Sequence, residues 1–274
     1  MTHLHADRLQ AKVPAVLTVA GSDCSGGAGI QADLKTMTVL GCYGMSVITA
    51  ITAQNTTGVQ LAFETPPDMI AAQLDSVFAD IFPDAVKCGM FASPEAVRIT
   101  AGKFKEYGAK NIVADPVMAS TSGSTLTCSA AVQEMKESLF PLAAIITPNI
   151  QEAEVLSGAC IRSPEDMEKA ALGLSKEYGC AVLVKGGHFE TSSNDCLAYE
   201  GAAVWLKHAK IYNPNTHGTG CTLSSAIASY LAMGEDLVSS VCKAKEYLTG
   251  AISYGLQLGH GRGPLYHAYT IRRS

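Results

Sequence analysis

Short apolar runs of strand length alternate along this chain with longer stretches of helical spacing, and that alternation restricts the fold more than any other feature. The runs are Val16–Ala20, Met45–Ala50, Ala85–Cys88, Asn111–Ala114, Ala144–Thr147 and Ala181–Val184. Helical patterns fall at Ile30–Leu40, Pro67–Ile81, Pro94–Tyr107, Ser129–Leu139, Ile150–Ser157, Pro164–Tyr178, Thr219–Ala232 and Leu237–Leu256. A strand that is apolar on both sides must be covered on both sides. Repeated strand–helix units therefore predict a three-layer α/β/α fold, with a mostly parallel central sheet between helices. Cys196–Tyr199 and Ala203–His208, separated by Glu200-Gly-Ala202, predict a late antiparallel hairpin at a sheet edge. With no repeat, linker or compositional break, residues 13–274 are expected to form one domain and residues 1–12 a loose arm.

Composition narrows the partners. At 274 residues, 47% hydrophobic and 16% charged, the chain has ample material for a buried core. A net charge of -5, with no basic cluster longer than Arg272-Arg273, argues against nucleic acid. The cysteines form no C-x-x-C pair and read as reduced thiols. No apolar run approaches a membrane span, and residues 1–12 lack a signal-peptide stretch, so a cytoplasmic protein without a membrane partner is expected. No His/Cys cluster has the spacing of a zinc site, and no G-x-S-x-G elbow supports a Ser-His-Asp hydrolase.

Ligands on open parallel sheets bind outside the carboxyl ends of the strands, so the residues after each strand are the ones to inspect. The loop Gly21-Ser-Asp-Cys-Ser-Gly-Gly-Ala-Gly29 lacks the lysine of a P-loop. Its Gly27-Ala-Gly29-Ile-Gln-Ala32 starts too far from the strand for dinucleotide binding. Asp33 falls on the apolar stripe set by Ile30, Leu34, Met37 and Leu40, where a carboxylate needs a partner; a ligand contact is the favoured reading over a local N–H. Gln54 offers an amide donor beside an acceptor, which suits the edge of a nitrogen heterocycle, although taken alone a polar strand end that bonds backbone is the favoured reading. Asp115 has the chemistry to hold a hydrated Mg²⁺, and the Ser/Thr/Gly run after it suits a lid over phosphates; a turn aspartate followed by a solvated loop is the alternative. Asn149 and Glu152 have capping-box spacing, which by itself accounts for both. Lys185 ends a buried strand, where an ammonium wants an anion. Finally, His217-Gly-Thr-Gly-Cys-Thr222 runs into an apolar helix. Backbone N–H groups of Gly218, Thr219, Gly220 and Cys221 are expected at the positive end of its dipole, with the hydroxyls of Thr219 and Thr222 as further donors. His188, His217 and His260 read as loop histidines, more often structural than catalytic.

Taken together, Ala20–Lys35, Ala53-Gln-Asn55, Lys87-Cys-Gly-Met90, Asp115-Pro-Val-Met118, Thr147-Pro-Asn149, Lys185-Gly-Gly-His188 and His217–Thr222 resemble the hydroxymethylpyrimidine/phosphomethylpyrimidine kinases of thiamine biosynthesis, in the ribokinase-like superfamily. The likeness runs from about Val13 to Pro264. It implies ATP with Mg²⁺, room for a monovalent cation such as K⁺, and a homodimer. The implied chemistry is phosphorylation of 4-amino-5-hydroxymethyl-2-methylpyrimidine and then of its monophosphate. By the same resemblance Asp33 and Gln54 contact the pyrimidine, and Gly21, Ala28 and Met90 line its pocket. Gly218 to Cys221 form the anion hole; Asp115, Asn149, Glu152 and Lys185 serve ATP, with Asp115 and Glu152 reaching the metal through water.

Many relatives in the superfamily carry Asp where Cys221 stands, as the base for the acceptor hydroxyl. A thiol is a poor base unless its pKa falls, which a helix N-terminus favours. Related sequences often have Lys where Thr121 lies, so a cationic lid contact is in question. Pyridoxal kinases are the nearest rival. A sugar kinase is disfavoured by Cys221 and the scarcity of polar groups, and a non-catalytic pyrimidine sensor by the retained ATP side.

Overall fold

A computed structural model describes residues 12–119, 126–187, 194–207 and 211–271. Strand β1 (Ala15–Asp23) is buried along almost its whole length and leads through a glycine-rich turn into helix α1 (Gly29–Val39). Then follow β2 (Tyr43–Asn55), β3 (Gly58–Glu64), α2 (Pro67–Asp80), β4 (Ala85–Cys88), α3 (Pro94–Tyr107) and β5 (Ile112–Ala114). After α4 (Ser129–Glu134), which runs on into a π turn over Met135–Leu139, come β6 (Ile145–Ile146), α5 (Ile150–Ser157), α6 (Pro164–Tyr178) and β7 (Ala181–Val184). The chain ends with β8 (Asp195–Tyr199), β9 (Ala202–Leu206), α7 (Thr219–Ala232) and α8 (Leu237–Tyr254).

These strands form one nine-stranded sheet in the order β3-β2-β1-β4-β5-β6-β7-β8-β9. β1 pairs in parallel with β2 on one side and β4 on the other, so the strand order reverses at β1. That reversal opens a crevice at its carboxyl end. The expected three-layer α/β fold is what the chain adopts. Leu17, Val19, Val86 and Cys88 face α2 to α6, while Val16, Ala85, Val113 and Leu183 face α1, α7 and α8. Burying each Val or Leu among them contributes about 1.5–3 kcal/mol, so the two cores fix which way these strands face.

Boundaries move by a few residues, and the late hairpin turns through Glu200 and Gly201, both at positive φ (51° and 77°), as a two-residue turn requires. Its second strand ends at Leu206; the expected continuation to His208 lies outside the described residues, as do Thr121, His188, Arg272-Arg273 and all of the expected arm except Lys12. One strand was not anticipated. β3 pairs antiparallel with β2 and buries neither face, so it leaves no periodic signal.

Candidate active site

Helix α7 begins at Gly218, which adopts φ +83° and has no side-chain cap. A Cβ there would lie 2.0 Å from the Gly27 carbonyl oxygen, so only glycine lets the starts of α1 and α7 meet. Thr222 N–H makes the first intrahelical bond, to Gly218 O at 2.9 Å. The N–H groups of Gly220 and Cys221 precede it and have no carbonyl four residues back to serve. Thr219 differs from expectation: its N–H and its hydroxyl both turn back to Thr216 O, at 3.3 and 3.1 Å. Thr222 is also engaged, its hydroxyl lying 3.0 Å from His267 Nε2, an imidazole that burial keeps neutral with a pKa pushed down to about 4. The donors left at the start of α7 are thus the amides of Gly220 and Cys221, not the hydroxyls.

Cys221 is half-buried and does not behave as the sequence suggested. Burial pushes its thiol up to about 11, although Lys87 and the Gly29 N–H act in the opposite direction. The desolvation cost of a thiolate, with the nearby charges of Asp33 and Asp115, outweighs them, so the sulfur is protonated near neutral pH.

Behind the cradle lies a fully buried ion pair. Thr18 of β1 and Lys87 of β4 are register partners and point to the same face of the sheet. There Lys87 Nζ donates to Asp33 Oδ2 at 2.8 Å, while Thr18 and Ser225 hydroxyls donate to the same carboxylate, each at 2.6 Å. Burial disfavours the ammonium, yet Asp33 first, then Cys221 and Asp115, together more than offset it and raise the Lys87 pKa. Asp33 does sit in the core and does have partners, but they belong to the protein. It has no exposed surface and is not among the residues that line the cavity. Its visible work is to hold Lys87. In the sequence, the signal for Lys87 is its charge within the short apolar strand Ala85–Cys88.

On the other side of Gly220, Lys185 Nζ donates to Asp115 Oδ1 at 2.9 Å, where Thr147 Oγ1 also donates at 3.1 Å. Lys185 is therefore not a lone ammonium: burial lowers its pKa, but Asp115 and Glu152 reverse the sign. A Cβ on Gly220 would lie 3.2 Å from Asp115 Oδ2 and 3.4 Å from Lys185 Nζ, which places the pair against the start of α7. Asn149 and Glu152 close a full capping box at α5, with Glu152 N–H to Asn149 Oδ1 at 2.9 Å and Asn149 N–H to Glu152 Oε2 at 2.8 Å. Burial lifts the Glu152 pKa to about 7, against the pull of Lys185.

At the end of β1, Asp23 accepts from the Ser25 N–H and hydroxyl, the Gly27 and Ala28 N–H groups, and His217 Nε2 at 2.8 Å. Burial works against its charge, but bonds from His217 and Ser25 hold the carboxyl below its usual range. Gln54 lies beside this pair, with Oε1 3.1 Å from Thr52 Oγ1 and Nε2 3.4 Å from His217 Nε2. Neither Asp23 nor His217 was singled out as a site residue, since their pairing spans 194 positions.

A cavity of about 1080 Å³ joins these parts. Gly21, Ala28, Gln54, Met90, Asp115, Asn149, Glu152, Lys185 and Gly218 to Cys221 all line it; Asp33 does not. Lys87, Asp23, His217 and Arg262 also line it. No group of three or more His, Cys, Asp or Glu side chains suited to a metal occurs among the described residues.

A three-layer sheet with an uncapped helix start at its strand-order reversal, flanked by buried lysines, defines a ribokinase-like small-molecule kinase. The chain belongs to the phosphomethylpyrimidine kinase family, whose profile matches residues 23–266. It is 50% identical over 253 residues to the thiamine biosynthesis bifunctional protein ThiED of Geobacter sulfurreducens, covering 92% of this chain and 52% of that one. It thus spans about half the length of that bifunctional relative. It is 45% identical over 258 residues to the hydroxymethylpyrimidine/phosphomethylpyrimidine kinase of Streptomyces coelicolor, covering 94% and 96% of the two chains. Among solved structures, an ADP complex of Bacillus subtilis pyridoxal kinase superposes with a TM-score of 0.88 at 36% identity, over 94% of this chain and 99% of that one.

Proposed function

We propose that this protein transfers the terminal phosphoryl group of ATP to 4-amino-5-hydroxymethyl-2-methylpyrimidine, and then to the resulting monophosphate, in thiamine biosynthesis. The observation that carries the reading is the pair of amides at Gly220 and Cys221, set between Lys87 and the Lys185–Asp115 pair on the same cavity as Gln54. Phosphoryl transfer needs positioning and charge stabilisation more than covalent help, and this arrangement supplies both. The amides face the migrating group, and the lysines offset its charge. Gln54, with Gly21, Ala28 and Met90, seats the acceptor ring. Lys185 and Asn149 lie toward the nucleotide. Cys221, protonated near pH 7, offers its amide rather than a base.

Asp115 and Glu152 suit Mg²⁺. Two carboxylates share one ammonium, and Glu152 bears the desolvation cost of its charge, so a hydrated dication would relieve both. When bound, Mg²⁺ supplies charge neutralisation at the nucleotide phosphates. Mass spectrometry of the pyrimidine alcohol after incubation with enzyme and MgATP tests the whole reading. Addition of two phosphoryl groups is expected, and no addition would refute it.

The likeness to pyridoxal kinase favours a second reading, phosphorylation of pyridoxal, alone or beside the pyrimidine. Parallel steady-state assays with the two alcohols separate these readings. We further propose a cytoplasmic homodimer whose residues 13–274 fold as one unit. The cysteines are all free, and no helix among the described residues is long and apolar enough to cross a membrane. The outer side of the β2–β3 edge exposes Ile51, Leu61 and Phe63, an apolar strand edge that a second copy would cover. Sedimentation of the wild type against Phe63→Lys tests the dimer.

A further inference from the structure

A third lysine–aspartate pair lies on the cavity wall, apart from the groups assigned to phosphoryl transfer. Asp195 opens β8, Lys245 comes from the middle of α8, and both are buried. Lys245 Nζ donates to Asp195 Oδ2. The other carboxylate oxygen, Oδ1, accepts the Gly186 N–H at 2.9 Å.

That second bond falls at a decisive place in the chain. β7 lies between β6 and β8 and pairs with β8 as far as Val184 and Cys196. Beyond Val184 come Lys185 and Gly186, and their N–H groups go to opposite sides. The Lys185 N–H donates to Pro148 O at 2.9 Å, on the β6 side; the Gly186 N–H donates to Asp195, on the β8 side. The backbone at Lys185 is therefore tethered on both flanks, and from there its ammonium reaches Asp115 Oδ1 at 2.9 Å. Gly186 is confined as well, since a Cβ there would lie 1.8 Å from Asn194 O.

A buried ion pair is weak support for stability, because apolar side chains of similar volume often serve as well. What they do not do is accept a hydrogen bond. An apolar residue at 195 would leave the buried Gly186 N–H without the acceptor that holds it. We propose, on the reading of Lys185 as a nucleotide-side residue, that Asp195 is a positioning residue. Its carboxylate fixes the Gly186 N–H and through that peptide aims Lys185 at Asp115 and the nucleotide. Lys245 is the counterion that lets the carboxylate stay buried.

Two double variants separate positioning from packing. D195N/K245M removes both charges and keeps a side-chain oxygen for Gly186. D195L/K245M removes both charges and the acceptor together. Calorimetry with Mg²⁺ and the non-hydrolysable analogue AMP-PCP reads nucleotide affinity, and the urea midpoint of each variant is measured beside it. D195N/K245M is expected to bind within about three-fold of wild type and D195L/K245M about ten-fold or more weakly. In D195L/K245M the KM for MgATP should rise while that for the pyrimidine alcohol stays unchanged. A purely structural role predicts instead that affinity follows the urea midpoint and that both KM values move together. Equal nucleotide affinity in the two variants overturns the proposal. K185M sets the scale with an expected loss of about ten-fold or more, and no loss there leaves Asp195 nothing to position and overturns it too. If D195L/K245M does not fold, amide hydrogen exchange of the wild type decides: Gly186 should exchange more slowly than the exposed Gly187, and equal rates overturn the proposal. Nucleotide binding needs no acceptor alcohol, so absence of wild-type turnover of the pyrimidine sinks the substrate reading alone.

Discussion

Two helices begin beside the same cavity, and they begin in opposite ways. α5 starts at Asn149 with a closed capping box, so its first N–H groups and its carboxylate serve each other. α7 starts at Gly218 with no side-chain cap and no acid in its first turn. Both carry a positive dipole end. At the capped end the Glu152 N–H is taken by Asn149 and a carboxylate already sits at the first turn, whereas the uncapped end has neither beside the N–H groups of Gly220 and Cys221. In the proposed function the anion site is marked by the cap that is missing as much as by the helix, with buried lysines beside α7.

Substitutions can break that contrast. The largest effect is expected at Gly218→Ala, where both the positive φ and the Gly27 carbonyl oppose a side chain. A fall in kcat of about 10³-fold is expected with the fold retained by circular dichroism, on the scale of losing oxyanion-hole donors. Near-wild-type turnover would show that the start of α7 is not the anion site.

Lys87→Met comes next. It leaves Asp33 buried without its cation and is expected to cost about 3 kcal/mol of stability, read as a lower urea midpoint. The double variant Lys87→Met, Asp33→Leu should recover much of that loss, and failure to recover would mean the pair is not what couples β4 to α1. Asn149→Ala removes the cap of α5 and should cost about 1 kcal/mol, with a smaller change in kcat than Gly218→Ala gives. An equal loss of activity at the two positions would erase the distinction between the helix starts.

The smallest change is expected at Cys221→Ala. With the thiol pKa near 11, pH–rate profiles should show no thiol-dependent limb between pH 6 and 9, and the second phosphorylation should proceed at the wild-type rate. A first step slowed on its own would restore a proton role to the sulfur.

Much of this architecture was legible because it is local. Strands such as Ala85–Cys88 and Ala181–Val184 and helices such as Pro94–Tyr107 and Pro164–Tyr178 fall where hydrophobic spacing placed them. That spacing reports burial, so β3, exposed on both sides, escaped it. The capping box of Asn149 and Glu152 was also legible, being complete within four residues. Asp33 was half legible: its place on an apolar stripe demanded a partner, and nothing nearby in the chain named Lys87.

By itself, then, the sequence determined the alternation of strands and helices, the carboxyl-end loops and the glycine-rich helix start, since each depends on neighbours a few positions apart. Tertiary structure decided the charges. Lys87 meets Asp33 across 54 positions, Lys185 meets Asp115 across 70 and His217 meets Asp23 across 194. Whether a buried ionisable group is a ligand contact, a counterion or a silent thiol depends on what surrounds it and how far water is excluded. Only the folded chain sets those two conditions.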